Sequence, residues 1–319
     1  MNQYTSSGKY VESEYVWGDL LKEQKLREAD LRVINLETSV TTSNDPMEGK
    51  PVLYKMHPQN LSILKEAKID FVTMANNHTF DWSEKGLNDT ISSLDKNRVA
   101  YAGIAKETRD IFLPKILQVN EKKVHIYCLG DVSSGMSLDW IPSKNKAGVA
   151  VVNVKKDSDK ICEIIKQNSE GADLVIVSIH FGPNWGFQVS ESHANFAHKI
   201  IDEAKVSIVH GHSSHHFKPI EIYKQKLILY GCGDLINDYE VIDNGYEEKY
   251  LSRFSLAYFP EIDLHNGNLK GLEITVYRMK NLRLEKVEKF NNIVNKLNEI
   301  GKSYNSKFIK KGGKIKLVL

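Results

Sequence analysis

Apolar residues along this chain follow two alternating periods. Helical spacing, with apolar positions three and four apart, marks Glu14 to Arg27, Pro58 to Ala67, Ser83 to Asn97, Asp157 to Asn168 and Glu191 to Ala204. Between these stretches lie short runs rich in Val, Ile and Leu: Leu31 to Leu36, Asp70 to Ala75, Lys123 to Leu129, Asp173 to Ile179, Val206 to Val209 and Leu227 to Gly231. Several are apolar at consecutive positions, as strands covered on both faces must be. The alternation predicts an α/β fold. After Phe254 the pattern changes. Phe254 to Phe259 and Leu272 to Tyr277 read as antiparallel strands around the turn residues His265-Asn266-Gly267-Asn268. A last amphipathic helix is predicted from Arg283 to Ile300.

Four of the strand-like runs break off at residues able to hold a metal or move a proton. They lead into Glu37, into Asn76-Asn77-His78, into His180, and into His210-Gly211-His212-Ser213-Ser214-His215-His216. Ligands of open α/β sheets gather beyond the carboxyl ends of neighbouring strands, so the four endings point to one site. Glu37, the Asn77 amide oxygen and the imidazoles of His180, His210, His212 and His215 form a mixed O/N set suited to Mn, Fe or Zn. One or two divalent ions are implied. A pair ~3.5 to 4 Å apart would hold the attacking and leaving oxygens of a displacement, which makes hydrolysis the natural reaction. His78 beside such a site is placed to protonate a leaving oxygen, and Asp81 to fix its tautomer.

The ordinary readings stand beside these. A histidine after a strand is commonly a satisfied structural one, and Asn-Asn-His is also turn chemistry. His57, His125, His193, His198 and His265 stay with that reading. Four imidazoles within the seven residues 210–216 would repel one another if protonated together, and so invite a cation. Gly130-Asp131 and Gly233-Asp234, the latter followed by Asp238 and Glu240, read equally as acidic loops near the ions or as capped turns. Trp82, Trp140 and Trp185 lie near these loops, as pocket walls or as packing under them.

Composition narrows the class. With 43 basic against 41 acidic residues there is no global field for nucleic acid. From Gly301 onward the six lysines Lys302, Lys307, Lys310, Lys311, Lys314 and Lys316 meet no acidic residue, which reads as a solvated basic tail or as a contact for an anionic polymer or membrane. Three scattered cysteines (Cys128, Cys162, Cys232) suit neither a disulfide framework nor a thiolate zinc site, and read as buried free thiols. Met1 to Tyr10 has no charged segment leading into an apolar one, and no membrane-spanning apolar run occurs in the chain. The expectation is a cytoplasmic chain, or a membrane-associated or extracytoplasmic one if its start is truncated.

At its motifs the chain resembles the CapA family of capsule or poly-γ-glutamate synthesis proteins, itself similar to the calcineurin-like metallophosphatases. The likeness runs through Tyr15-Val16-Trp17-Gly18-Asp19, Ile34-Asn35-Leu36-Glu37-Thr38, Ala75-Asn76-Asn77-His78 with Asp81-Trp82, Ser178-Ile179-His180-Phe181-Gly182, the His210 to His216 run and Leu229-Tyr230-Gly231-Cys232-Gly233-Asp234. It implies a four-layer α/β/β/α metallophosphatase-like sandwich over residues 1–280, with a helix and basic tail over 281–319. Glu37, Asn77, His180, His212 and either His210 or His215 resemble the family's metal positions, and His78 its general acid. Family members open with an apolar strand ending in a Gly-Asp metal motif, and nothing before Tyr15 supplies either. The expectation is a sandwich lacking its first strand, through a truncated start or through loss of one cation and of catalysis. Two functions follow: a metal-dependent hydrolase of phosphoester or amide bonds in capsule or poly-γ-glutamate synthesis, or a non-catalytic accessory that binds an anionic polymer or a synthase.

Overall fold

The computed structural model describes residues 12–106, 111–238 and 245–319. Glu240 and the first ten residues, weighed above, lie outside them. Three short parallel strands, β1 (Val33–Asn35), β2 (Phe71–Thr73) and β3 (Ala100–Ala102), form a small sheet in that order. A larger sheet is built from β4 (Lys115–Val119), β5 (Lys122–Asp131), β6 (Val151–Val152), β7 (Leu174–His180), β8 (Ile208–His212), β9 (Ile220–Tyr223) and β10 (Lys226–Leu229). Its order is β6-β5-β7-β8-β10-β9, with β4 also on β5; all pairs are parallel except those made by β4 and β9.

Four helices matter to the layering: α1 (Ser83–Asn97), α2 (Val154–Asn168), α3 (Glu191–Ala204) and, at the rim, α4 (Tyr246–Tyr250). Side-chain alternation divides the large sheet cleanly. Tyr127, Leu129, Val177, Ile179 and Val209 pack with Ile161 and Ile165 of α2 and Phe196, Ala197 and Ile200 of α3. Ile126, Cys128 and Ile176 face the other way, into a core shared with Phe71 and Val72 of the small sheet and Leu87, Ile91 and Leu94 of α1. The result is the four layers α/β/β/α. Leu87, Ile91 and Leu94 lie on one face of α1 by their spacing, and Arg98 in the left-handed region (φ 56°) ends that helix. Ser190 caps α3 by accepting from the His193 N–H at 3.3 Å.

A third sheet holds β11 (Phe254–Asp263), β12 (Asn268–Lys280), β13 (Arg283–Lys286), β14 (Phe308–Lys311) and β15 (Lys314–Leu317), in the order β11-β12-β15-β14 with β13 also on β12. Helix α5 (Asn291–Ile300) packs on it. Leu272, Ile274, Val276, Phe290, Leu297 and Ile315 continue the core that begins between the two other sheets.

Three expectations are corrected here. The helix from Glu14 to Arg27 is a 3₁₀ segment, Tyr15–Lys22, and a short α-helix, Gln24–Glu28. Gly18 breaks it: its φ is 46°, and a Cβ there would stand 2.2 Å from the Leu284 carbonyl oxygen. The helix from Arg283 starts only at Asn291, because Asn281 and Leu282 at positive φ (52° and 59°) turn β13 back onto β12.

The solvated basic tail is instead a hairpin. Gly312 and Gly313, both at positive φ (61° and 73°), reverse β14 into β15, and β15 pairs with β12. Two of its six lysines have acidic partners brought from elsewhere in the chain, while Lys302, Lys307, Lys310 and Lys311 are exposed as expected. Lys314 Nζ lies 2.6 Å from Glu23 Oε1, and Lys316 Nζ 2.8 Å from Glu273 Oε1. At the outer border, Phe308 donates its N–H to Asn298 Oδ1 at 2.7 Å and accepts from Asn298 Nδ2 at 2.9 Å.

Candidate functional site

Strand register assembles the histidines. In β5, β7 and β8, Gly130, His180 and His212 share one rung, and Cys128, Ser178 and His210 share the rung two residues earlier. Because side chains alternate, the five that carry a side chain point to the face that meets the small sheet. The two Nδ1 atoms of His180 and His212 lie 2.8 Å apart. Ser178 Oγ sits 3.1 Å from His212 Nε2 and 2.9 Å from His210 Nδ1, so it links the rungs. Glu37 arrives from the end of β1, with Oε2 3.9 Å from His180 Nδ1. Asn35 holds that carboxylate by donating to it at 2.8 Å, and Asn76 in turn donates to Asn35 at 3.0 Å.

The cluster is short of cations and donors. Burial pushes the Glu37 carboxyl up to about 7, against the pull of the cationic His215. Burial also drives the His180 and His212 imidazoles well below their usual range, and His210 down to about 4, so these rings are neutral. Asn77 Oδ1 and His180 Nε2 are buried without a hydrogen-bond partner among the described residues.

His78 stands beside this group with its ring clamped. Its Nδ1 lies 2.7 Å from Asp81 Oδ2, and the Tyr54 ring stacks on it at 3.8 Å. Lys50 reaches in to donate to Asp81 Oδ1 and to the Asn77 carbonyl, while the Tyr54 N–H donates to Asp81 Oδ2. Burial, helped by the positive charge of Lys50 and His215, lowers the His78 pKa against the pull of Asp81. With Asp81 accepting the Nδ1 proton, Nε2 is the nitrogen left for exchange with a ligand.

His215 is turned elsewhere. Its Nδ1 is 3.1 Å from Asp234 Oδ2, and its ring lies against Trp185 at 5.4 Å. Burial works against its charge, but Asp234 and Glu37 outweigh it and raise the imidazole to about 9. The charged pair therefore stabilises the fold fully below the unfolded value of ~6.5, and that contribution is lost as pH rises through about 9. Asp234→Asn in metal-free protein is expected to cost on the order of 2 kcal/mol at about pH 6 and little above pH 9, read by urea unfolding at a series of pH values. A pH-independent cost would contradict the pairing.

The structure thus joins Glu37, His180 and His212, sets His210 one rung back behind Ser178, pairs His78 with Asp81, and pairs His215 with Asp234. Sequence reasoning missed Lys50, Tyr54 and Ser178. Lys50 and Tyr54 sit in a stretch between Pro46 and Pro58 whose pattern signals only a loop. Carboxylate, amide oxygen and neutral imidazole, two of them with orphaned buried atoms, are the donor chemistry a divalent ion takes. Their spacing is looser than a closed ligand shell. Among the described residues no group of three or more His, Cys, Asp and Glu side chains stands in the geometry of a metal cage.

Comparison with known proteins places the chain in a family. The family described as bacterial capsule synthesis protein PGA_cap matches residues 1–239. The chain belongs to this family. Every residue of the cluster, from Glu37 to Asp234, lies within the matched span of this PGA_cap protein. A probable polyglutamine synthesis accessory protein of Mycobacterium tuberculosis is similar to it at 34% identity over 280 residues, 86% of this chain and 73% of that protein. The PGA biosynthesis protein CapA of Bacillus subtilis is 26% identical over 239 residues, 72% of this chain and 60% of that one. Among solved structures, a phosphatase from Mycoplasma pneumoniae overlays with a TM-score of 0.48 at 16% identity, covering 87% of this chain and 93% of that one. Among the described residues of the PGA_cap chain, no helix is long and apolar enough to cross a membrane.

Proposed function

We propose that this PGA_cap protein is a divalent-metal-dependent hydrolase of phosphoester or amide bonds that serves capsule or poly-γ-glutamate synthesis. The observation that carries the reading is the convergence of Glu37 from the small sheet with His180 and His212 at the ends of β7 and β8, together with a buried, unpartnered Asn77 oxygen on the loop after β2. These four residues would hold one or two ions of Mn, Fe or Zn, which would polarise the scissile bond and make an oxygen nucleophile available near neutral pH. His215, with Asp234 behind it, adds fixed positive charge at the rim for an anionic substrate. His78 hands a proton from Nε2 to the leaving atom, with Asp81 stabilising the imidazolium and Lys50 and Tyr54 holding Asp81 and the ring in place.

Glu37→Ala is expected to lower the metal-to-protein ratio measured by elemental analysis of purified protein. The looser spacing of the donors favours a second reading, a non-catalytic accessory that binds an anionic polymer such as poly-γ-glutamate or a synthase. A metal ratio unchanged by Glu37→Ala would sink the first reading and favour the second.

A further inference from the structure

A second group of side chains lies on the helix-covered side of the large sheet. Asp131, at the end of β5, is fully engaged: Oδ1 accepts from the Val154 N–H at 2.8 Å, and Oδ2 accepts from the Ser133 N–H at 3.0 Å and from the Ser133 hydroxyl. Ser133 Oγ in turn accepts from the Gly182 N–H at 2.9 Å and lies 3.0 Å from His193 Nε2. His193, in the first turn of α3, rests on the Phe181 ring at 4.6 Å. Its other nitrogen, Nδ1, has no hydrogen-bond partner among the described residues.

Lys218 closes on the same spot. Its stem crosses Gly231, where a Cβ would come within 2.8 Å of Lys218 Cγ. Its ammonium then reaches Gly182: the point where a Cβ would stand on that glycine is 3.7 Å from Lys218 Nζ and 3.6 Å from His193 Nδ1. Lys218 is only 3% exposed and His193 5% exposed. Nζ makes no hydrogen bond or ion pair among the described residues. Burial alone pushes the Lys218 amine down to about 8, with no carboxylate close enough to oppose it. An ammonium on a side chain this deeply buried, with no carboxylate opposite it, is poorly solvated and gains from an anion that reaches it.

We propose that Lys218, His193 and the Gly182 turn form a binding site for a small oxyanion, a phosphate or carboxylate group, separate from the Glu37 cluster. The anion supplies the charge Lys218 lacks and accepts a hydrogen bond from Nδ1–H of the His193 imidazolium, whose Nε2 faces Ser133 Oγ at 3.0 Å and Asp131 Oδ2 at 3.5 Å. The first turn of α3 adds its favourable dipole. The site goes beyond the proposed hydrolase reading and does not depend on it.

The test uses the metal-free full chain, titrated separately with orthophosphate and with acetate. His193 ring signals are followed by long-range ¹H–¹⁵N NMR, and thermal melts are run in parallel. One or both anions are expected to shift the His193 signals saturably and to raise the melting temperature of wild type. Phosphate acting alone identifies a phosphate group as the ligand, and acetate matching it identifies a carboxylate. Lys218→Met should weaken the effect by about tenfold or more, and Lys218→Arg should keep it. Because Met keeps the stem and removes an unpaired buried charge, Lys218→Met should melt no lower than wild type. His193 signals that neither anion moves, or that move equally in Lys218→Met, overturn the proposal. So does a Lys218→Met protein that melts well below wild type, since the ammonium would then already be paired. No metal or turnover enters the readout, so a failed hydrolase assay leaves this result standing.

Discussion

His78→Ala is expected to cut turnover by about 10²- to 10⁴-fold while the metal content stays that of wild type. The size follows from the role: a proton delivered to a leaving atom lowers the barrier only while bonds are breaking, so its loss falls on kcat more than on KM. The ring is held for that task by Asp81 at 2.7 Å from Nδ1 and by the Tyr54 stack at 3.8 Å, and among the described residues no hydrogen bond engages Nε2. Asp81→Asn should fall in the same direction by a smaller factor, since the imidazole remains but its tautomer is no longer enforced. Steady-state assays with Mn against phosphodiesters and poly-γ-glutamate would measure both. Turnover that survives His78→Ala unchanged removes the proton donor from the mechanism.

Lys314→Met is expected to destabilise the fold by about 3 kcal/mol at neutral pH, at the low end of what breaking a buried ion pair costs. Glu23 is 6% exposed, and its carboxylate meets Lys314 Nζ at 2.6 Å, Lys286 Nζ at 3.6 Å and the Thr275 hydroxyl at 3.3 Å. Lys286 remains in the variant and softens the loss. Burial raises the Glu23 pKa, but Lys314 and Lys286 together bring it below the usual carboxylate value. A lowered carboxylate contributes stability above its unfolded pKa and loses it as pH falls through the folded one. The gap between wild type and Lys314→Met should therefore narrow under acid conditions. Urea unfolding of both proteins at neutral and acid pH would decide it. A neutral-pH difference under about 1 kcal/mol would mean that the pair behaves as a surface contact.

What the sequence made legible followed from strong local signals. Ser83 to Asn97 and Glu191 to Ala204 carry full helical periods with polar outer faces, and the structure has helices with those bounds. The central strands showed as apolar runs because both their faces are covered. Convergence of His180 and His212 could be anticipated because residues at the carboxyl ends of adjacent parallel strands must end on one edge, whereas Glu37 reaches them from the small sheet only because the two sheets pack face to face. Lys50 and Tyr54 could not, since a long loop gives no period and its closure over Asp81 depends on tertiary contacts.

The C-terminal region misled for a different reason. Val287, Phe290, Val294 and Leu297 fit one helical stripe, and the positive φ of Asn281 and Leu282 instead turns the start of this stretch into a strand. Lys314 and Lys316 looked unpartnered because their acids, Glu23 and Glu273, are remote in sequence. Gly312-Gly313 between two alternating runs was the available hairpin signal.

Asn298 gives the third sheet a property beyond its own stability. Its amide occupies the outward N–H and C=O of Phe308 as a neighbouring backbone would. A second molecule approaching this border finds the first rung already taken, and lysines at positions 310 and 311 repel a like edge. The seam is thereby closed to self-templated strand addition, the route by which bare sheet margins seed fibrils.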